Sequence, residues 1–218
     1  FGKQAEIDKA FGMLQAVNSQ HAVELQFTAE ALADRNRSDA LPAKVQQEWE
    51  AFKKNVLVTS KAASYEAHST LLERVLLMIK HVGDTSNLIL DPDLDSYYLM
   101  DVTLLALPET QRRYASALEV FEELSQQSEM SNTDRVKLAV LGAQFAADFS
   151  RLATDCNTAD VEDKNFYGRI AGLQSGLQPA LKRYEAVVQP MLQTLTCIQE
   201  TGLKEEFAPL VKRLLAQT

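Results

Sequence analysis

Apolar residues recur at three- and four-residue spacing along most of this 218-residue chain, and little interrupts the pattern. The spacing is close to about seven residues per two turns, which is typical of helices that pack in bundles. Only eight glycines and six prolines are present, and Ala, Leu, Glu, Gln and Lys, which favour helices, are abundant. The sequence therefore predicts an all-α protein. In residues 2–37 the stripe consists of Ile7, Phe11, Leu14, Asn18, Leu25 and Leu32.

Turn signals divide the pattern into helices. The first is predicted over residues 2–37, and the second runs from about residue 43 to 79, or to 90 if Gly83 does not end it. A third begins at residues 91–92 and continues to 127, with a kink or split at Pro108. A fourth follows a cap at residues 132–134 and runs to about residue 154. Residues 155–160 form a turn, residues 161–200 are a bent helix or a hairpin near Gly176, and residues 203–216 are a short last helix.

Such long helices favour an elongated bundle. A helix of about 36 residues spans roughly 54 Å, which exceeds the width of a compact domain of this mass. We expect two stacked four-helix modules that share long helices, and residues 1–218 read as a single domain because no linker divides them. Asn18 and His21 lie on the first apolar stripe. We interpret them as a register-setting asparagine and a satisfied core histidine, with a ligand site as the alternative.

Residues 84–108 (DTSNLILDPDLDSYYLMDVTLLALP) concentrate the polar chemistry of the chain. Asp91 is predicted to cap the third helix, and Pro92 at the first helical position sacrifices no hydrogen bond. Asp95 then lies in the first turn, where the helix dipole favours a negative charge. Asp101 shares a helix face with apolar side chains. It must find a partner, because burial of an unpaired carboxylate is costly.

Asp84 and residues 86–101 resemble the signature of a family of long, all-helical sensor regions. These regions occur in bacterial methyl-accepting chemotaxis proteins, sensor histidine kinases and diguanylate cyclases, between two transmembrane helices. The resemblance implies an extracytoplasmic domain at the periplasmic face of the inner membrane. It also implies a parent receptor that spans the membrane and forms a parallel homodimer. Such a domain binds a small molecule or a ligand-loaded binding protein, and it passes a helix displacement to a cytoplasmic output.

Candidate ligand-binding residues follow from the same stretch. Polar groups that converge between helices would form the site, and we select Asn87, Tyr97, Tyr98 and Asp101. A carboxylate ligand would require an arginine, and the nearest in sequence are Arg74, Arg112 and Arg113. The alternative is that the signature is a structural lock, with Asn87 and Asp101 as a hydrogen-bonded pair.

Catalytic and metal-binding patterns do not emerge from the sequence. The spacing of Asp91, Asp93 and Asp95 resembles the start of a calcium loop, but Ser96 and Val102 stand where that loop needs Gly and Glu. No Glu-x-x-His, P-loop or dinucleotide fingerprint occurs. We therefore expect no enzyme activity, no metal and no cofactor. The net charge of −8 argues against nucleic-acid binding.

The two cysteines are Cys156 and Cys197. A hairpin near Gly176 would bring them level, and an oxidising periplasm would then permit a disulfide. The alternative is two buried thiols that act as small hydrophobic residues.

The competing hypothesis for function is a soluble helical scaffold that binds protein partners. No run in the chain approaches the ~20 apolar residues of a membrane span. The chain opens on Phe1, and we expect it to be a segment excised from a longer receptor. A sensor would have apolar spans on either side in the full gene, whereas a scaffold would have none.

Overall fold

The computed structural model describes residues 3–55, 58–127, 129–164 and 168–202, together with Pro209. Throughout these residues the chain forms helices and turns and no strand, so the predicted all-α helical bundle is confirmed. The chain divides into two compact units, Phe1–Ile89 and Leu90–Thr218. The helix predicted over residues 203–216 lies outside the described residues.

The first unit contains four α-helices: α1 (Gln4–His21), α2 (Ala29–Asp34), α3 (Pro42–Asn55) and α4 (Lys61–Thr85). A 3-10 turn, Ser38–Ala40, precedes α3, and another, Leu88–Leu90, follows α4. The unit is held by a small apolar core that also takes in partly buried residues of α1 and α4. Its buried members are Phe27, Leu32, Ala40, Val45 and Met78.

The prediction of a single helix over residues 2–37 is wrong, because a loop separates α1 from α2. Gln26 adopts a left-handed conformation with φ of 54°. The N–H of Phe27 then donates to the carbonyl of Ala22 at 2.6 Å, and its ring is buried in the core. Thr28 starts α2 by accepting a hydrogen bond from the N–H of Ala31. Burial of Phe27 therefore outweighs the continuity of the helical pattern.

The second predicted helix is also two helices, α3 and α4. The hydroxyl of Ser60 accepts from the N–H of Ala63 at 3.3 Å and begins α4. Val58 is exposed in the break between the two helices. Gly83 does not end α4, which continues to Thr85.

The second unit is built from one interrupted helix and two long ones. The first comprises α5 (Leu94–Met100), a π-helical segment (Asp101–Ala106) and α6 (Leu107–Gln126). It is followed by α7 (Asn132–Val161) and α8 (Leu173–Thr201). Helix α7 packs against α5, α6 and α8. The main core comprises Ala117, Phe121, Leu124, Leu138, Phe145, Val188, Met191, Leu195 and Ile198.

Pro108 widens its helix rather than splitting it. Proline has no N–H to offer the carbonyl of Leu104, so the regular ladder cannot continue through this turn. The preceding residues form a π-helical segment, and the N–H of Leu107 donates to the carbonyl of Val102, five residues earlier. The segment begins at Asp101, the last residue of the signature.

Helix α7 is longer than the sequence predicts. Its N-cap is Ser131, which forms a capping box with Asp134. The turn predicted over residues 155–160 is wrong, because Asp155, Cys156 and Ala159 all face inward and continue the helix. Burial on one face therefore outweighs the polar composition of this stretch.

The hairpin between α7 and α8 lies before Gly176, which is inside α8. Gly168 and Gly172 take positive φ values of 83° and 87°, and α8 begins at the next residue. Arg135, near the start of α7, donates to the carbonyl of Gln199, near the end of α8. The register predicted from a turn at Gly176 is therefore wrong.

This register separates the cysteines. Cys197 lies level with the beginning of α7, whereas Cys156 lies near the end of that helix. Both thiols are free, so the disulfide that a hairpin near Gly176 would have permitted is not formed, and the alternative of a buried thiol holds for Cys156 but not for Cys197. Cys156 is buried, and burial raises the pKa of its thiol, whereas Cys197 is exposed.

Candidate functional site

The signature begins at the end of α4, where Asn87 follows the last turn of the helix. Ser86 caps the helix through its N–H, which donates to the carbonyl of Val82. Asn87 follows with φ of 60° and an exposed side chain. Asparagine tolerates this left-handed conformation, so the residue has a clear conformational role at the helix end.

The aspartates of the signature build the turn into α5. The predicted helix start at Asp91 and Pro92 is two residues early, because Asp93 is the N-cap residue. The carboxylate of Asp91 accepts from the N–H of Asp93 at 3.0 Å and from the hydroxyl of Ser96 at 2.8 Å. Asp95 lies in the first turn of α5 as predicted, and accepts from the N–H of Ser96 at 2.6 Å. These contacts fix a turn ahead of the helix rather than a cap at Asp91.

Tyr97 and Tyr98 lie next to each other on α5. Their rings meet edge to face with centroids 5.5 Å apart. Tyr97 is 38 % exposed, whereas Tyr98 is half-buried.

Asp101 has an internal partner that the sequence reading missed. The guanidinium of Arg151, on α7, donates from Nη2 to Oδ1 at 2.6 Å and from Nε to Oδ2 at 3.0 Å. Such a two-point contact is the geometry that arginine and carboxylates favour. The bond ties the π-helical segment to α7, in place of the predicted bond between Asp101 and Asn87.

Asp155 lies beside this ion pair, and its carboxyl group has a raised pKa. Its Oδ2 is 3.8 Å from Nε of Arg151, one helical turn earlier on α7. Burial, then a hydrogen bond with Asp101 and the negative charge of Asp101, raise the pKa of Asp155 to about 6. The arrangement can hold a proton between two carboxylates at mildly acidic pH.

Arg112 and Arg113 are also engaged within the second unit. Arg112 pairs with Glu109 one turn away on α6, and it holds the pKa of Glu109 below its usual value. Arg113 donates to Asp148 of α7 at 2.7 Å. The ion pair of Arg113 and Asp148 thus joins α6 to α7.

A half-buried, hydrogen-bonded pair of tyrosines lies beside Asp148. Burial raises the pKa of Tyr184 and of Tyr114, whose hydroxyl groups bond to each other. Thr110 also bonds to Tyr184. This polar network is satisfied internally and joins α6 to α8.

Arg74 belongs to the first unit, where it lies between two acidic side chains. Its Nε is 2.7 Å from Glu48, and its Nη1 is 3.0 Å from Asp39. The arginines and Asp101 of the predicted ligand site therefore all have internal ionic partners. Asn87 and Arg74 lie in the first unit, and the other five predicted residues lie in the second. Their contact with a ligand stays a prediction.

His81 anchors a second polar cluster at the end of α4. It is fully buried, and its Nε2 donates to the carbonyls of Leu25 and Gln26, each at 3.1 Å. Its Nδ1 accepts from Arg37 at 3.3 Å, and Arg37 also donates to Asp84 at 2.5 Å. This set of bonds requires the neutral imidazole with its proton on Nε2.

Burial lowers the pKa of His81, and the positive charges of Arg37 and Arg35 act in the same direction. Hydrogen bonds to the backbone of Gln26 and Leu25 oppose the shift. Phe27 lies edge-on against the imidazole, with ring centroids 4.5 Å apart. The cluster therefore clamps the loop between α1 and α2 onto α4.

That loop lines a cavity of about 380 Å³ in the first unit. Helix α1 supplies one wall and α4 the other, and Pro42 adds to the lining. Apart from Asn18 and His21, every lining side chain is apolar. The lining consists of Ile7, Ala10, Phe11, Leu14, Val17, Asn18, His21, Leu25, Phe27, Pro42, Val75, Met78, Ile79 and Val82.

Asn18 and His21 differ from their expected roles as seam residues. His21 is not a core residue: its side chain is 48 % exposed, and Nδ1 is 2.9 Å from Glu24. Asn18 is half-buried at the cavity, and among the described residues its side-chain amide has no hydrogen-bond partner. Of the two interpretations drawn from sequence, the geometry of Asn18 favours the ligand site.

This cavity can accommodate a ligand without breaking an ion pair, since none of its lining residues is Lys, Arg, Asp or Glu. Arg151 was the main omission from the sequence reading. The spacing of Asp148, Arg151 and Asp155 on one face of α7 was a signal that could have identified it.

No group of three or more His, Cys, Asp or Glu side chains in the described ranges is placed to hold a metal ion. Among the helices that the structure describes, none has the length and apolar character needed to cross a membrane. No protein-family model, curated protein or solved structure matches the chain.

Proposed function

We propose that this chain is the extracytoplasmic ligand-sensing domain of a bacterial transmembrane signalling receptor. It acts at the periplasmic face of the inner membrane, binds a ligand and catalyses no reaction. The observation that carries the proposal is the apolar cavity between α1 and α4. The resemblance of Asp84 and residues 86–101 to a sensor signature supports it, since this stretch leads directly out of α4.

The way in which α1 is held suits a responsive element. It has no fully buried residue. Its polar side is fastened to α3 by Asp8, which accepts at 2.7 Å from both the indole of Trp49 and the ammonium of Lys53. A ligand that fills the cavity adds contacts on the other side of α1. Such a ligand favours whichever spacing of α1 and α4 it fits best.

The displacement is then carried by α4, which runs for 25 residues and ends at the signature. Asp84, in its last turn, is bound to Arg37, so the helix end moves together with the loop before α3. The signature continues the chain from the first unit into the second. In the parent receptor, a homodimer would convert the helix shift into a cytoplasmic output.

The second candidate function is a helical scaffold that binds protein partners. Val136 and Val140, one turn apart on α7, are 62 % and 50 % exposed, and they offer a small apolar contact surface. A scaffold of this kind needs neither the cavity nor a membrane.

Labelling of Cys197 tests the proposed location. The thiol is exposed, whereas that of Cys156 is buried. In cells with a permeabilised outer membrane and an intact inner membrane, a membrane-impermeant maleimide should label the full-length protein. Cys197→Ser should abolish the labelling, and Cys156→Ser should not. Labelling that appears only after lysis of the inner membrane would rule out an extracytoplasmic sensor and leave the scaffold.

A further inference from the structure

We infer that the cavity between α1 and α4 takes a neutral, largely apolar small molecule with one hydrogen-bonding group, which meets the side chain of Asn18. The inference rests on the proposed function and gives it a ligand class. It differs from the sequence expectation, which placed polar or carboxylate ligands against the signature and its arginines.

The size of the cavity suits a small molecule. Its volume of about 380 Å³ lies near the lower end of the usual range for ligand pockets, roughly 300–1,000 Å³.

The apolar lining disfavours a charged ligand. None of the residues that line the cavity is Lys, Arg, Asp or Glu. A carboxylate or an ammonium group would lose its hydration without gaining an ionic partner, and this cost is large. At the polar end the imidazole of His21 is already paired with Glu24, whose carboxylate disfavours an anion there.

Asn18 defines where the polar group of the ligand lies. Its amide can both donate and accept, and within the described part of the chain it bonds to no other side chain or backbone group. Leu14 and His21, one turn to either side on α1, also line the cavity. A hydroxyl, amide or carbonyl group placed between them completes the hydrogen bonds of Asn18 while the ligand body contacts apolar side chains.

The loop at one side of the cavity is held in place before any ligand arrives. Leu25 and Phe27 line the cavity, and their loop is held by His81 through the carbonyls of Leu25 and Gln26. A wall fixed in this way reduces the ordering cost of binding. Selectivity then depends mainly on the shape of the apolar body and on the one polar contact.

Isothermal titration calorimetry of the whole chain at pH 7 tests the inference with two probes that share a ring system. 2-Naphthol is neutral and carries one hydroxyl group, and 2-naphthoate is an anion of similar shape. We expect 2-naphthol to bind at least tenfold more tightly. Ala10→Phe, which fills the cavity from α1, should weaken 2-naphthol binding by tenfold or more. Ala16→Phe places the same ring on an exposed position of the same helix outside the lining, and it should leave binding unchanged.

The polar contact is tested separately with Asn18→Leu. This variant should lose about tenfold in affinity for 2-naphthol, roughly the contribution of one hydrogen bond. It should retain its affinity for 2-fluoronaphthalene, which lacks the hydroxyl group.

Three results would overturn the inference: equal or tighter binding of 2-naphthoate, equal effects of Ala10→Phe and Ala16→Phe, or no heat from 2-naphthol up to millimolar concentration. None of these depends on the maleimide labelling. A failure of the ligand class is therefore distinguishable from a failure of the proposed location.

Discussion

The two units pack similar amphipathic helices in different ways. In the second unit, α6, α7 and α8 each bury several large side chains, and they form a core that includes Phe121 and Phe145. In the first unit, α1 buries no residue fully and leaves a cavity against α4. A helical stripe therefore predicts that a helix forms, but not how closely it approaches its neighbour. In α1 the polar bonds of Asp8 to α3 hold the helix from its other side.

Each unit also buries an ionisable group, and the pKa values of these two groups shift in opposite directions. His81 of the first unit is neutral and has a lowered pKa, whereas Asp155 of the second has a raised one. Through these two groups, acidification works against the first unit and in favour of the second. Matched substitutions in the two units test this difference in packing and in acid response.

The largest effect is expected from truncation of matched phenylalanines. Phe145 is 1 % exposed in the core of the second unit, and Phe145→Ala should lower the free energy of unfolding by about 3–5 kcal/mol. Phe11 is only partly buried and already faces open space in the first unit. Phe11→Ala should cost about 1–2 kcal/mol. Denaturant unfolding followed by circular dichroism measures both losses, and similar losses would show that the cavity is closed in solution.

The next effect concerns Asp155, whose pKa is raised from 3.8 to about 6. The folded state then binds the proton more tightly, so the associated stability is fully present below about pH 3.8 and is lost as the pH rises through about 6. The full change is about 3 kcal/mol at 1.36 kcal/mol per pKa unit. Asp155→Asn supplies a permanent neutral donor to Asp101, and it should stabilise the second unit by about 1–2 kcal/mol at pH 7.5.

Hydrogen-exchange protection of the α7 amides, corrected for intrinsic exchange rates, measures this effect at pH 5 and pH 7.5. The gain from Asp155→Asn should shrink at pH 5, where the native carboxyl group is protonated. Asp160→Asn is the matched control near the end of the same helix, since Asp160 bonds to Gln178 away from the Arg151 pair. Equal gains at both pH values would contradict the shared proton.

A pH dependence of opposite sign is expected at His81. Its lowered pKa means that its stabilising contribution is present above the unfolded value of about 6.5 and is lost as the pH falls through the folded value. His81→Leu should destabilise the first unit by about 1–3 kcal/mol at pH 7.5, because the two carbonyls and Arg37 lose their partner. The variant should also lose the acid sensitivity of this unit.

His68 provides the control for this change. It is exposed on α4 and bonds to the backbone of its own helix. His68→Leu should leave the acid response of the first unit intact. Exchange protection of the α4 amides that stays constant between pH 7.5 and pH 5 in the unsubstituted protein would refute the role of His81.

Much of the fold follows from local patterns. The helical spacing and the scarcity of Gly and Pro predict the all-α class, and the signature predicts a new helix, which begins two residues later than expected. The break at residues 22–28 could not be predicted, because nothing local marks Gln26 as left-handed or Phe27 as buried. In the same way, DCNTAD at residues 155–160 has turn composition, and only burial of Asp155 and Cys156 against other helices keeps it helical.

The candidate site was less predictable than the fold. The sequence shows that Asp101 needs a partner, but not that Arg151 supplies it from a helix fifty residues away. Partner choice depends on tertiary register, which a helical period does not specify. The cavity is harder still to predict from sequence, because its volume depends on the distance between helices and not on any single residue. Asn18 was the available clue, since it places an amide in an apolar stripe.

The smallest expected effects come from two glycines, and they probe whether the looser packing of the first unit extends to the backbone. Gly12 of α1 and Gly142 of α7 both lie inside helices, and a Cβ at either position meets no atom within 4 Å. Alanine is favoured over glycine in a helix by about 0.5–1 kcal/mol. Gly142→Ala should raise the free energy of unfolding of the second unit by this amount, because α7 unfolds together with its core. Gly12→Ala should instead protect only the α1 amides, because the helix opens without disrupting buried side chains. Gly172→Ala, at φ of +87°, is the control that should destabilise. If Gly12→Ala stabilises the whole first unit against denaturant as much as Gly142→Ala stabilises the second, α1 is as cooperative as α7, and the proposed freedom of α1 to respond to a ligand is lost.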